Sequence, residues 1–476
     1  MGLLWRATPF VRAAVAISSA TNAALHPSLQ EVPMAMDSPP EQAPADHTCQ
    51  VRMTHNQIGR LAAIEGLPRK GKPPIAFGLR LEGPVDPERI ERTLTGIARR
   101  HTALRSWFPE SLPPGWAQCV QSDCAAWPLG IVDLTGLPEP QRARAQELVH
   151  AKLYKPFAPD RFPLFRAYLV RTERESSLLI AVDHAIFDGA SVQAFLDDFG
   201  DVYRSEGPTG RGPVFAGSDV AEFSAYEREW LAGSAADAAL AHWKGVWDAF
   251  GPFPVTRLPL RTGVTGTGAE WKRVIPAQRV TDRQRTFPGG YISAPTLAAA
   301  AVVTALRDVT GQDETGLLHP SSRRFFDGGE QMIGYLNNRV LLRVATPAHE
   351  GFLDIADRTR TAMLESLEHD MMPFEVLLRE LAPHVTDRRP EHPYIHLNVE
   401  TMPVAPDLPD LRAQHFWPAE TAGFGDLPWI SINLEIEAER MVLRAGYSTA
   451  RFAPETVADL MERVRGYLTG VNESPE

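Results

Sequence analysis

From residue 51 onward the hydrophobic positions change period several times, and each change marks an element. Ile75, Phe77, Leu79 and Leu81 alternate, which predicts a strand with one buried face. Asp86 is placed to cap a helix, with Pro87 at its first position and Ile90, Leu94 and Ile97 as its apolar stripe. Residues 164–170 and 178–183 read as an antiparallel pair joined by the polar turn 172–176. The run Leu178-Leu179-Ile180-Ala181-Val182 is apolar without interruption, so it belongs near the centre of its sheet. From Ala190 onward, Val192, Phe195, Leu196, Phe199 and Tyr203 recur at helical spacing.

Residues 205–217 hold four glycines and two prolines and read as a crossing between two halves. Beyond it the pattern predicts an aromatic-rich helix from Phe223 through Trp230 to Trp247, then a Gly/Thr-rich loop over 258–268. Residues 296–309 are almost entirely apolar, which predicts a helix buried on all sides. Strands are expected at 341–344, 395–399 and 429–436, and a last helix at 455–468. Strands and helices mix without regular alternation, so the expected class is α+β.

A chain of 476 residues exceeds one ordinary core and implies two domains or two similar halves. The net charge of −11, with no Lys/Arg run, argues against nucleic acid as a partner. Cys49, Cys119 and Cys124 are too few for a disulfide framework, and the spacing of the last two fits neither a zinc nor a thioredoxin pair. They read as ordinary thiols of a reduced, cytoplasmic protein. Residues 1–48 differ from the rest: an Ala-rich stretch over 3–24 is followed by a Pro/Ala/acidic linker over 39–46. Arg6, Pro9, Arg12 and Ser18 interrupt the apolar stretch, so it is not a membrane span. It reads as a dispensable, disordered extension, or as sequence upstream of a start at Met34 or Met36.

Chemistry concentrates in Val182-Asp183-His184-Ala185-Ile186-Phe187-Asp188-Gly189-Ala190-Ser191. A histidine leaves the end of a central strand, and Asp-Gly follows four residues later. Gly189 is expected to provide a tight turn, and Asp188 to fold under the loop in a buried ion pair. His184, an imidazole near its ordinary pKa, would then face a cleft as a proton acceptor. Asp183 is a carboxylate beside that ring, and contact with it would raise the pKa of His184. No Walker A loop, HExxH or GxSxG elbow occurs, and the glycines at 263, 266 and 268 lack dinucleotide-binding spacing. No set of metal ligands is recognisable, so no metal is expected.

The same segment resembles the HHxxxDG motif of condensation domains and polyketide-associated acyltransferases, in the CoA-dependent acyltransferase superfamily. Other stretches are similar to that family in the same order. Met53-Thr54-His55-Asn56-Gln57 resembles its opening motif, and Arg100-His101-Thr102-Ala103-Leu104-Arg105-Ser106-Trp107-Phe108 its RHxxLRxxF. Ser322-Arg323-Arg324, then Met332-Ile333-Gly334-Tyr335-Leu336-Asn337-Asn338 and Leu342-Arg343, resemble its arginine, IGxxxN and LR series. His369-Asp370-Met371-Met372-Pro373-Phe374-Glu375-Val376-Leu377 resembles its HxxxPFExL segment. The family's first histidine is Asp183 here.

The resemblance, over about residues 50–470, implies two chloramphenicol-acetyltransferase-like halves forming a V with a central tunnel. The chain divides accordingly into an extension (1–48), an N-terminal half (49–210) and a C-terminal half (211–476). His184 becomes the catalytic base. Asp183, Asp188, Gly189, Arg323 and Arg324 become supports, with either arginine a partner for Asp188, and Asn337 and Gly334 lie near substrate. The implied activity is that of a stand-alone, monomeric acyltransferase. It would move an acyl group from a phosphopantetheine thioester, on a carrier protein or CoA, to an amine or hydroxyl, with no bound cofactor. The alternative is a degenerate member that recruits a carrier protein or a tailoring enzyme.

Overall fold

The computed structural model describes residues 47–61, 74–109, 118–122, 124, 126–205, 219–250, 254, 256–382, 393–418 and 429–471. The expected extension up to residue 46 and all of the 205–217 crossing beyond Ser205 lie outside the described residues.

The chain begins with β1 (His47–Val51), α1 (His55–Leu61), β2 (Ile75–Glu82) and α2 (Pro87–Arg100). Then come β3 (Ser106–Trp107), β4 (Gln118–Gln121), β5 (Leu129–Asp133) and α3 (Glu139–Leu153). The strands β6 (Phe165–Arg171) and β7 (Ser176–Val182) lead into α4 (Ala190–Arg204), α5 (Val220–Leu231) and α6 (Ser234–Phe250). After these stand β8 (Gly268–Pro276), α7 (Ala277–Arg285), α8 (Ala294–Thr310), β9 (Glu314–Ser321) and β10 (Asn338–Ala345). The last part holds α9 (Phe352–Glu368), α10 (Phe374–Leu381), β11 (Tyr394–Thr401) and β12 (Arg412–Phe416). It ends with β13 (Trp429–Ile436), β14 (Arg440–Ser448) and α11 (Pro454–Thr469).

Two mixed sheets dominate, and the class is α+β. The first has the order β12-β2-β7-β6-β5, so the apolar run of β7 is central, as its composition requires. The second has the order β10-β9-β11-β13-β14-β8. The edge strand β12 comes from late in the chain and pairs antiparallel with β2. Val220, Phe223, Met332, Ile333 and Leu336 likewise enter the core built by β2, α2 and α4. Residues beyond 210 thus help to close the first core.

The expected single buried face of β2 is corrected. Ala76, Phe77, Gly78 and Leu79 are all buried, because Leu153 of α3 packs near Ala76 and Ala181 on one face. On the other face Phe77 stacks on Phe187 and meets Phe195 edge-on. The expected aromatic helix is two helices, α5 and α6, broken at Ala232-Gly233. The helix α8 is buried along nearly its whole length, against α9, α11, β9 and β11.

The reading of the cysteines is corrected as well. Cys119 is disulfide-bonded, while Cys124 is a buried thiol. The ladder between β4 and β1 sets the two strands side by side, a pairing that the Cys119–Cys124 spacing cannot reveal. No helix among the described residues is long and apolar enough to cross a membrane.

Candidate functional site

The loop 183–189 joins the central strand β7 to α4, and its shape follows from one carboxylate. Asp188 is fully buried. Its Oδ1 accepts from the Ser191 backbone N–H (3.0 Å) and hydroxyl (2.8 Å), as a helix-capping carboxylate does. Arg324 closes a two-pronged ion pair on it, with Nη2–Oδ1 at 2.8 Å and Nη1–Oδ2 at 2.9 Å. Oδ2 also accepts from the backbone N–H groups of Leu336 (3.0 Å) and Asn337 (3.2 Å). Against the cost of burial, this guanidinium and these donors hold the Asp188 carboxyl below its usual range.

Of the two arginines left open by the sequence, Arg324 is the partner of Asp188. Arg323 turns elsewhere. Its φ of 51° puts a non-glycine residue in the left-handed region. Its guanidinium donates to the Leu336 carbonyl (2.7 Å) and to Glu227 Oε1 (2.7 Å). Glu227 in turn accepts from the backbone N–H and Nδ1 of His55, both at 2.8 Å. Arg323 and His55 hold the Glu227 carboxyl down at about 2 although burial opposes them. The hydrophobic pattern of the sequence carries no sign of this buried glutamate.

His184 is half-buried at the end of β7. Its Nδ1 lies 2.8 Å from the Phe187 carbonyl, which only accepts, so Nδ1 carries the proton. In the neutral ring Nε2 therefore keeps its lone pair. The ring meets Tyr335 edge-on at 5.1 Å. The expectation of an ordinary pKa is corrected: burial, and then the Arg60 cation, push His184 down to about 3, against opposing pulls from Asp188 and Phe187.

Asp183 is not what sets that value. Its Oδ1 accepts from the Ala185 backbone N–H at 2.7 Å, and its charge acts on Arg60 and Arg166. It shapes the loop and does not raise the imidazole. Gln57, from the segment Met53–Gln57, braces the same loop by donating to the Ala185 carbonyl at 3.0 Å.

The expected role of Gly189 is corrected too. Its φ of −58° and ψ of −41° are ordinary helical values, so no strained turn calls for glycine. What the missing side chain leaves is room: a Cβ there would lie 3.7 Å from Glu400 Oε1. Gly334 is buried, and a Cβ on it would meet Val220 and Leu336 within 2.8 Å. Its carbonyl accepts from the Ser191 hydroxyl at 3.0 Å and from Arg324 at 3.3 Å, which packs it against the Asp188–Arg324 pair. Asn337 contributes its backbone, donating to Asp188 and accepting at 2.7 Å from the Asn56 amide. Its neighbour Asn338 ties the Asp370 and Met372 carbonyls, both at 2.7 Å, to the same region. Among the described residues no group of three or more His, Cys, Asp or Glu side chains is arranged to hold a metal ion.

The condensation-domain profile matches residues 51–476. The chain belongs to the condensation-domain family. Among curated relatives of this condensation domain, a linear gramicidin synthase polypeptide of Brevibacillus parabrevis is 27% identical over 416 residues. That match covers 84% of this chain and 5% of the relative. The phosphinothricin tripeptide synthetase PhsB of Streptomyces viridochromogenes is 29% identical over 356 residues, 72% of this chain and 29% of the relative. The domain thus spans a small part of these relatives. In fold it is similar to the X-domain in a complex of that domain with OxyB from teicoplanin biosynthesis. There the TM-score is 0.72 at 22% identity, covering 94% of this chain and 96% of that one. The first condensation domain of the calcium-dependent antibiotic synthetase, in complex with a substrate analogue, gives 0.71 at 20% identity, covering 89% and 96%.

Proposed function

We propose that this condensation domain transfers an acyl group from a phosphopantetheine thioester, on a carrier protein or CoA, to an amine or hydroxyl acceptor. The two substrates approach from opposite sides of a cleft between two halves and meet at His184. The acceptor nitrogen or oxygen attacks the thioester carbonyl, the new C–N or C–O bond forms, and the C–S bond breaks. The acceptor's proton passes by way of His184 Nε2 to the departing thiolate, which leaves as a thiol. The thioester is already activated, so the protein's tasks are alignment and the handling of one proton.

One observation carries this reading. The His184 tautomer is fixed by the Phe187 carbonyl, which leaves Nε2 as the acceptor, on a loop locked by the Asp188–Arg324 pair. The test is product formation from acyl-CoA and acyl-pantetheine donors with a panel of amines and alcohols, followed by mass spectrometry. Amide or ester that forms with wild type and falls by about 10²–10⁴-fold with His184→Ala supports the reading. An acyl adduct on the wild-type protein that needs His184 and chases into product would overturn direct transfer.

A second reading has its own support. The family's first histidine is absent here, and the fold is similar to an X-domain found in a complex with OxyB. Under that reading the domain recruits a protein partner and shows no turnover in the same assay.

A further inference from the structure

Three carboxylates surround the His184 loop, and two are fully committed. Asp188 is neutralised by Arg324. Asp183 accepts from Ala185 and faces the charges of Arg60 and Arg166. The third is Glu400, at the end of β11, with its Oε1 3.7 Å from where a Gly189 Cβ would stand.

Its surroundings follow from the register of the second sheet. Glu400 is paired with Glu435 on β13, and Asn398 with Asn433. These side chains stand on the face opposite Ile430, Ile432 and Leu434, which enter the apolar core. Of the cations on this face, Arg444 is taken by Glu435 at 2.7 Å and by Glu270 at 3.4 Å, Arg339 by Glu375 and Arg343 by Glu314. Lys272 lies in register with Arg444 at the exposed edge strand β8. Glu400 is left with a hydrogen bond from the Asn398 amide and no ion pair among the described residues. Burial and the neighbouring Glu435 raise its pKa.

We propose that Glu400 is a binding residue for the acceptor, holding the attacking nitrogen across the open face of Gly189 and carrying its positive charge during attack. This rests on the acyl-transfer reading. When an amine attacks a thioester carbonyl, positive charge develops on nitrogen as the C–N bond forms. Of the three carboxylates it is the one with no ion pair or backbone donor among the described residues, and Arg444, which acts on it at a distance, is paired with Glu435 and Glu270. As the C–S bond breaks, the nitrogen's proton is passed to the leaving thiolate, and Glu400 is returned ionised.

The test uses aminoacyl-pantetheine thioesters of glycine, leucine and phenylalanine, each beside its hydroxyacyl counterpart. Binding is measured by calorimetry, so it is read without turnover. With wild type, the amine of each pair binds about tenfold more tightly. With Glu400→Gln that advantage disappears, while the melting temperature and the KM of the acyl donor are unchanged. Glu400→Asp recovers part of it. Equal affinities for amine and hydroxyl in wild type, failure of both to bind, or an unchanged advantage in Glu400→Gln overturns the proposal. Absence of amide and ester in the turnover assay, with the amine preference present and lost in Glu400→Gln, would instead remove the acyl-transfer reading and leave Glu400 as an amine site.

Discussion

Asp188 and Arg324, 136 residues apart, meet in a two-pronged ion pair with both partners buried. The loop that carries His184 is thus shaped by a residue well beyond the strand and helix it connects. Asp188 spends its lone pairs on Arg324, Ser191, Leu336 and Asn337 and has no free one to offer a substrate.

That division of labour separates two mutants. Asp188→Ala strands a buried guanidinium, a change that costs roughly 3–5 kcal/mol. Lower solubility and an earlier urea midpoint should accompany the loss of activity. His184→Ala should unfold at nearly the wild-type midpoint, because the ring is half-buried and bonds to the neighbouring Phe187 carbonyl of its own loop. Urea titrations of both proteins check this. Reversed midpoints would exchange the two roles.

Glu227 gives a second stability prediction. It joins His55 on α1 to Arg323 ahead of β10, with both members of the ion pair buried. Glu227→Gln keeps the shape but leaves Arg323 uncompensated, so a loss of several kcal/mol is expected. Replacing Glu227 and Arg323 together by Gln and Met should recover part of it. A double-mutant cycle measured by denaturation reads the coupling directly. Coupling near zero would mean that the pair is incidental.

Much of this was legible in the sequence. Period-two, uninterrupted apolar and helical runs located β2, β7, α4 and α8, and the Asp86 cap of α2 stands where expected, with its side chain accepting from Glu88 at 2.9 Å. Missed elements have weaker patterns. In α3, Ala145, Val149 and Leu153 form a thin stripe every fourth residue. In β8, on an exposed edge, Trp271 and Ile275 are the buried side chains. The site was legible where the motif itself carries it, as in the placing of Asp188 in a buried ion pair with one of two arginines. It was not where distant segments meet: the choice of Arg324 over Arg323 for Asp188, Glu227 against Arg323, and Glu400 opposite Gly189 all depend on register between sheets and helices. Gly189 misleads because glycine suggests a strained turn, whereas here its value is the space beside it.

That space can be filled deliberately. Gly189→Ala puts a methyl into an ordinary helical backbone at van der Waals distance from Glu400. The melting temperature should stay within about 2 °C, since Gly189 caps α4 from outside its interior with a backbone that alanine adopts without strain. Acceptor KM should rise while donor KM holds. A marked drop in melting temperature would show that the glycine is needed for the fold.

Imidazoles withdrawn wholly or partly from water set the pH dependence of stability. Burial lowers His184 to about 3, and His319, His396 and His415 each to about 4, from an ordinary 6.5. The folded protein therefore resists protons that the unfolded chain takes up readily. By linkage, the stability held by these neutral rings is fully present above pH 6.5 and is lost as pH falls from there towards 3–4. Each ring adds up to about 1.4 kcal/mol per pH unit to the slope within that window. Asp188 and Glu227, whose carboxyls are lowered, add to the loss below their ordinary range near 4. Unfolding free energy from urea titrations should be level from pH 7 to 8 and begin to fall near 6.5. His184→Ala should lose one proton's share of that slope. Turnover should follow a different course while the fold survives, since His184 is already neutral at pH 5 and no loss of activity is due at 6.5 from its own titration. A stability curve flat down to pH 4, or an activity limb near 6.5 that moves to higher pH when the Arg60 charge is removed in Arg60→Met, would mean that His184 titrates as an ordinary imidazole.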